Sequence, residues 1–556
     1  MTSPRWPRYA AAAFGFVWFL QLCGASTLNP MNTAWMFTGD WRQHWLGFLF
    51  FQREPWTFPL GGLSSLLYPI GTNIGFTDSN PLLAILVKPF AGVLPAEYQL
   101  IGWWLASCFV LQGYAGAALA SAITKNAGQQ MFGGFLFVLS PVLFIRLGHD
   151  TLCAQWVLLA LLYFGVREFQ DSSQSRRAPW IVLALVMFAA AVHPYLAAMT
   201  FVLALAVLIR FWRARILTIS RAVVWMIAST LGLLAIWGAI GYFGKTPDGS
   251  GGFGTYPADL LTLFDPTDHS RLIPRLGTFG GEWEGIGFLG AGGLIALGIA
   301  LVALVRRRPT WRPGTGLIVG ACVLLGVYAL SSSIHFVGEE VLNVQWLYEP
   351  VMSLIKPFRS SGRFIWPVHY LALAFGFWGV TRIFGCTQTE KGTLLLAAIV
   401  ILQASDARID RWWIGRNTEP QISVANLELS RGHYQHLALA PPQVLGACGE
   451  RKYPEDYVYR FMLLANRLGL TFNSGIYARL DVQKVQAACE VQNRAVDAGT
   501  LDPQTIYVAS DTEIWRFKAA GDAACGRWDG HWICVSRASN PRFATYIETG
   551  KDPGAP

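Results

Sequence analysis

Charge is what this sequence has least of. Only 14% of its 556 residues are Asp, Glu, Lys or Arg, against roughly 25% in an average soluble domain. With 53% hydrophobic residues, that scarcity excludes an intrinsically disordered chain. Nine cysteines in so long a chain exclude a small disulfide scaffold. The 56 glycines are scattered without a three-residue period, which excludes collagen. There is no sustained internal repeat and no low-complexity tract. The glycine-rich stretch at 249–254 lacks a following Lys-Ser or Lys-Thr, so it is no nucleotide loop.

What is present is a series of apolar runs, and a membrane span needs about 20 such residues. Runs at 9–28, 98–123, 131–146, 151–168, 178–193, 194–211, 219–241, 287–305, 314–333, 364–383 and 391–405 predict about eleven transmembrane helices. The first has no small-x-small cleavage site and reads as a signal anchor. The stretch 81–94 is short and broken by Pro81, Lys88 and Pro89, which suits an interfacial or re-entrant helix.

The net charge is +9, from 43 basic and 34 acidic residues. The positive-inside rule accounts for that excess, and no nucleic-acid partner is expected. Arg5 and Arg8 precede the first run, Lys125 follows the second, and Arg167, Arg176 and Arg177 follow the fourth. Arg210, Arg213, Arg215 and Arg221 follow the sixth, and Arg306, Arg307, Arg308 and Arg312 the eighth. Arg382 and Lys391 flank the loop after the tenth. If 81–94 does not cross, all of them lie on one side, and that side is cytoplasmic. Residues 29–97, 146–150, 242–286, 334–363 and 406–556 then face outward. The expected domains are 1–405, a transmembrane domain carrying the first outside loop 29–97, and 406–556, an extracytoplasmic α+β domain. The latter holds Cys448, Cys489, Cys525 and Cys534. An even number of cysteines in an exported region suggests disulfides, with Cys525 to Cys534 and Cys448 to Cys489 as the expected pairing.

Chemistry-bearing residues cluster in the outward loops. Asp40 follows Gly39 at the start of a segment, 41–51, whose Trp41, Trp45, Phe48 and Leu49 recur at helical spacing. This predicts a surface-lying amphipathic helix. Asp40 is either its N-terminal cap or a functional carboxylate. Asp78 precedes the short apolar stretch, and His149 and Asp150 close the third run. Ionisable groups at membrane depth are costly unless used or paired, although Asp150 can equally cap a following helix. Lys356, Arg359 and Arg363 stand before the tenth run, on the side where cations are disfavoured. Guanidinium forks suit phosphate; snorkelling towards headgroups is the alternative. Arg146 is a further candidate. His193 is followed by Pro194, which breaks a helix. The loop 242–286 contains Asp265, Asp268, His269, Arg271, Glu282, Trp283 and Glu284, a set suited to closing over substrate.

Several features here resemble the GT-C superfamily of polytopic glycosyltransferases. They are the Gly-Asp in the first outside loop, the helix beside the membrane, the Pro-led apolar segment, and a run with Ser140 followed by Pro141 ending in a polar turn. The segments GDWRQHWLGFLFFQREPW, RLGHD and SSGRFIWPVHY are similar to a bacterial subgroup of that superfamily, over roughly residues 1–405. The resemblance implies an α-helical polytopic membrane protein of GT-C type in the bacterial inner membrane. It implies sugar transfer from a polyprenyl-phosphate donor to a glycan, lipid or protein acceptor on the outer face, with inversion. Asp40 matches the first-loop catalytic aspartate, acting as general base on the acceptor. His149 and Asp150 occupy the second-loop place of an acidic or metal-associated residue. The His-Asp pair departs from the familiar acidic pattern and leaves dependence on a divalent cation open.

An inverting transfer needs a base on the acceptor side and stabilisation of the leaving phosphate. Arg42 and His44 are the candidates for keeping Asp40 charged; Arg146, Lys356, Arg359 and Arg363 are those for the phosphate. The competing reading is a transporter or flippase of lipid-linked glycans. Transporters usually carry half-to-half symmetry and charges within spans, and neither is evident in this sequence.

Overall fold

The computed structural model describes residues 4–169, 172–243, 253–306, 313–384, 388–409, 430–449, 453–519, 521–528 and 530–551. Arg307, Arg308, Arg312, Cys386 and most of the glycine stretch, 249–252, lie outside those residues. The chain forms two compact units. Met1–Asn32, Gln99–Ile236 and Gly251–Ile414 make the first; Thr33–Tyr98, Trp237–Ser250 and Gly415–Pro556 make the second. This partition differs from a linear split at 405, because it groups the first loop with the C-terminal region.

The first unit is helical. Among the described residues five helices are long and apolar enough to cross a membrane: Ile101–Ile123, Gln174–Val192, Pro194–Arg213, Ile219–Ile240 and Ser361–Arg382. Asp150–Val166, Gly290–Arg306 and Thr315–Ala329 are apolar but shorter. Proline sets the breaks. Pro141 has no N–H to continue a helix, so the run at 131–146 forms Ala127–Val138 and then a separate turn, Pro141–Phe144. His193 caps the helix that Pro194 begins, its Nδ1 accepting from the Tyr195 N–H at 3.2 Å.

Several buried polar groups inside this unit pair in small networks. The Gln112 amide donates to the Tyr370 hydroxyl at 2.9 Å, which donates to Gln155 at 2.5 Å. The Ser140 hydroxyl and His369 Nε2 lie 2.7 Å apart. Gln403 donates to the carbonyls of Leu139 and Leu289 and accepts from the Gly293 N–H. The buried Asp406 accepts from the N–H of Ala291 at 2.9 Å, at the start of Gly290–Arg306, and also from Ser270. That is a favourable place for a negative charge.

The second unit is mixed. Its sheet runs in the spatial order Thr471–Phe472, His436–Ala440, Thr505–Ala509, His531–Ser536, Ala523–Trp528. The first three strands are parallel and the last two antiparallel to their neighbours. The first loop extends the short edge: Phe472 donates to the Ser65 carbonyl at 2.8 Å, and Tyr68 donates back to Phe472 at 3.0 Å. The Tyr68 ring stacks on His436 at 3.9 Å. Two disulfides are present, Cys448–Cys489 and Cys525–Cys534, the second between facing residues of adjacent strands.

The helix Trp41–Arg53 corrects one expectation. It does not lie as an amphipathic helix on a surface, because Trp41, His44, Trp45, Leu46 and the run from Gly47 through Phe51 are all buried. Four consecutive apolar residues, Phe48, Leu49, Phe50 and Phe51, cover more than one face. Three of its polar side chains reach the helix Glu455–Leu468. Arg42 pairs with Glu455 and Asp456, the Tyr459 hydroxyl donates to Gln43 at 2.8 Å, and Arg53 donates to Asn466 Oδ1 at 2.7 Å.

Candidate functional site

In the helical unit three charged side chains from distant parts of the chain meet. Arg363 donates to Glu284 through Nε at 2.7 Å and through Nη2 at 2.5 Å. Arg146 donates to the same carboxylate at 2.8 Å and to the Trp283 carbonyl at 2.5 Å. Their side chains are 8%, 9% and 13% exposed for Arg363, Arg146 and Glu284. Burial by itself would push the Glu284 carboxyl up, but the Arg363 and Arg146 charges together outweigh it and hold the group well below the usual carboxylate range. Two guanidinium groups share one carboxylate in a dry setting, where charge is felt strongly.

Local sequence explains how the three meet. Arg363 sits on the turn Ser361–Ile365, and Glu284 on the turn Glu282–Glu284. Gly362 faces Gly285 so closely that a Cβ on Gly362 would fall on the Gly285 Cα, and one on Gly285 on the backbone of Pro257 and Ala258. Only glycine allows the two turns to lie this near. Rings complete the surroundings: the Tyr195 ring lies 4.7 Å from the Arg363 guanidinium, and Trp366 lies 5.6 Å from that of Arg146. The Trp366 indole N–H is buried and has no hydrogen-bond partner among the described residues.

Histidines border this cluster. The His149 and His193 rings are 5.8 Å apart, and the His149 charge also lowers Glu284. Asp150, expected at an open surface, is 1% exposed, and its carbonyl accepts from the Trp104 indole at 2.9 Å. It opens a short 3-10 turn, Asp150–Cys153, instead of capping a long helix. Lys356 is exposed on the turn Lys356–Phe358. The Arg359 guanidinium lies 5.9 Å from the Tyr256 ring.

In the mixed unit Asp40 occupies the position before Trp41–Arg53, exposed, with helical backbone angles and no cap hydrogen bond from its side chain. Asp78 has a φ of 56°, a left-handed conformation that Asp tolerates better than most residues. Its neighbours fix it. The Ser79 hydroxyl donates to the His44 carbonyl at 2.6 Å, and Thr77 and Ser79 hydroxyls are 2.9 Å apart. A Cβ at Gly47 would strike both hydroxyls, so this approach requires glycine there. His44 and Asp78 thereby bring ligand-capable atoms within 4.8 Å of one another. Nitrogen and carboxylate oxygen suit a divalent cation, although two ligands alone do not close such a site. Tyr459 reports the same acidic patch: burial first, and then Glu455, Asp40 and Asp78, raise its hydroxyl against the lowering effect of Arg42. Arg42 also has acidic partners on another helix. Its guanidinium is taken by Glu455 and Asp456 and stacks 4.5 Å from the Tyr459 ring, so it ties two helices together.

Glu284 is the residue that sequence reasoning passed over as one of several acids in a loop. Its partners lie 79 and 138 residues away, and the local signal is only its place in a turn flanked by Gly281 and Gly285.

Residues 12–408 match the family described as Domain of unknown function (DUF6311), and residues 427–536 match the DUF6311 C-terminal domain. The chain belongs to the DUF6311 family. No curated protein matches the sequence. Among solved structures, the DUF6311 chain is similar to the Archaeoglobus fulgidus oligosaccharyltransferase, described in complex with Zn and sulfate. The identity is 9% and the TM-score 0.38, covering 95% of this chain and 73% of that one.

Proposed function

We propose that this DUF6311 protein is a membrane glycosyltransferase of GT-C type. It moves a sugar from a polyprenyl-phosphate donor to an envelope glycan, lipid or protein on the extracytoplasmic face of the bacterial inner membrane, with inversion. The observation that carries the reading is the buried pair Arg146 and Arg363, brought together on one carboxylate. A leaving phosphate needs such a partner, and guanidinium forks match its oxygens. Asp40 is the base that takes the acceptor proton. Its exposure at the head of Trp41–Arg53 suits that task, and His44 and Asp78 shape its side of the reaction. His149 and Asp150 support the phosphate side. Any divalent cation would be held by His44 and Asp78 together with further ligands, supplying charge stabilisation. The eleven-span topology, with the C-terminal region outside, belongs to the same proposal. The exposed Leu86, Phe90 and Val93 after Pro81 fit an interfacial segment.

The test is Asp40→Asn in an otherwise intact strain, followed by profiles of envelope glycans and lipid-linked sugars. The expected result is a loss of product on the order of 10²-fold with the protein still in the membrane. A flippase would tolerate this isosteric change, and an unchanged profile would end the enzymatic reading.

A further inference from the structure

We infer that Glu284 is a resident substitute for the donor phosphate: its carboxylate occupies the anion position between Arg363 and Arg146, and binding of a phosphate monoester or diester displaces it together with its turn. The inference rests on the phosphate role proposed above for the two arginines and adds what governs access to them.

Four observations carry it. Glu284 meets Arg363 in a two-point fork and Arg146 with a third bond, the same geometry by which guanidinium groups take phosphate. Arg146 and Arg363 are each 7% exposed, so a ligand reaches the guanidinia only if the covering segment moves. That segment is short and has glycines at both ends. Gly281 stands in the left-handed region with φ of 95°, the turn Glu282–Glu284 follows, and Gly285 rests on Gly362. Trp283, between the two glutamates, is 54% exposed and meets Tyr256 edge-on, and Glu282 holds the turn through Arg275 and the Phe279 N–H, so those are the contacts the displacement exchanges. The Trp366 N–H, beside Arg146 and without a hydrogen-bond partner among the described residues, is a donor that an incoming phosphate oxygen can accept and that Glu284 does not use.

The displacement breaks no covalent bond and needs no co-reactant. It makes the site selective for charge. Neutral prenols cannot compete with a carboxylate held by two arginines, whereas prenyl phosphates can.

The experiment uses the full-length protein in nanodiscs with farnesyl phosphate as probe, inorganic phosphate and farnesol as the two control ligands, and the variants Glu284→Gln and Arg363→Gln. Removing the competing charge should tighten farnesyl phosphate binding at least tenfold in Glu284→Gln, and farnesyl phosphate should restore the melting temperature that this variant loses. In wild type, hydrogen exchange of residues 277–289 should speed up when farnesyl phosphate is added. Binding by inorganic phosphate at similar strength would assign the site to the phosphate group alone; preference for farnesyl phosphate would assign it to a lipid carrier, and either result supports displacement. Unchanged or weaker binding in Glu284→Gln, with Arg363→Gln still abolishing binding, overturns the substitute-anion inference and leaves the phosphate reading standing. No binding by wild type, and no effect of Arg363→Gln, overturns both. If Glu284→Gln does not fold, the wild-type exchange rates decide: slower exchange at 277–289 on adding farnesyl phosphate overturns the displacement.

Discussion

Two ion-paired clusters, one from each unit, treat charge in opposite ways. In the helical unit Arg146, Glu284 and Arg363 are almost fully buried and share a single carboxylate. In the mixed unit Arg527 pairs with Asp511 at 2.6 Å while the side chains stay 56% and 71% exposed. Water screens the second pair and makes it worth little. The first has given up its hydration, so each member is costly without the others. A charge retained in apolar surroundings therefore marks a place where it is used, whereas an exposed pair marks only a surface. Asp40 is the instructive intermediate: an exposed carboxylate at the head of a helix whose body is buried.

The contrast breaks most visibly at Glu284. Glu284→Ala strands two guanidinium groups in a dry site and should lower stability by about 3–5 kcal/mol, read as a fall in the melting temperature of the detergent-solubilised protein. A loss under about 1 kcal/mol, typical of an exposed pair, would erase the difference between the units. Acid sharpens the same point. The folded-state pKa of Glu284 lies below its unfolded value of about 4.3. Its stabilisation is thus complete above that value and drains away as pH falls through the lower folded value. Melting curves of Glu284→Gln should lack that part of the acid slope, and an identical slope would assign acid sensitivity to other carboxylates.

A smaller effect is expected at Gly47. Gly47→Ala pushes a methyl into the Thr77 and Ser79 hydroxyls and should cost about 1–3 kcal/mol. It should also displace Asp78 from His44, so sugar transfer should fall further than stability alone accounts for. Transfer that simply tracks the amount of folded protein would remove Asp78 from the site. The least effect belongs to Arg527→Ala, within about 0.5 kcal/mol. A larger loss there would show that the mixed unit also depends on its surface ion pairs.

Much of the helical unit was legible in the sequence. Apolar runs predicted helices where they occur, and Pro194 predicted a break, whereas the break at Pro141 falls inside a run that reads as one span. Arg146 and Arg363 drew notice because cations were out of place at those ends. Trp41–Arg53 was legible as a helix but not in its surroundings. Its Trp41, Trp45, Phe48 and Leu49 spacing reads as one apolar stripe, and the weight of Leu46, Phe50 and Phe51 on the other faces tells against that reading. Asp150 was placed at an open surface, and burial under Trp104 could not be read from its neighbours in sequence.

The sequence alone determined the elements: where the chain is apolar enough to be helical, where proline interrupts it, and which loops collect titratable groups. Those are local properties, set by the residues a few positions either side. Tertiary structure alone decided that Glu284 stands between Arg146 and Arg363, that Arg42 is spent on Glu455 and Asp456, and that the first loop continues the sheet edge at Phe472. Ion pairs and edge pairing depend on distance through space and on the loss of water, and neither is encoded in the spacing of residues along a chain.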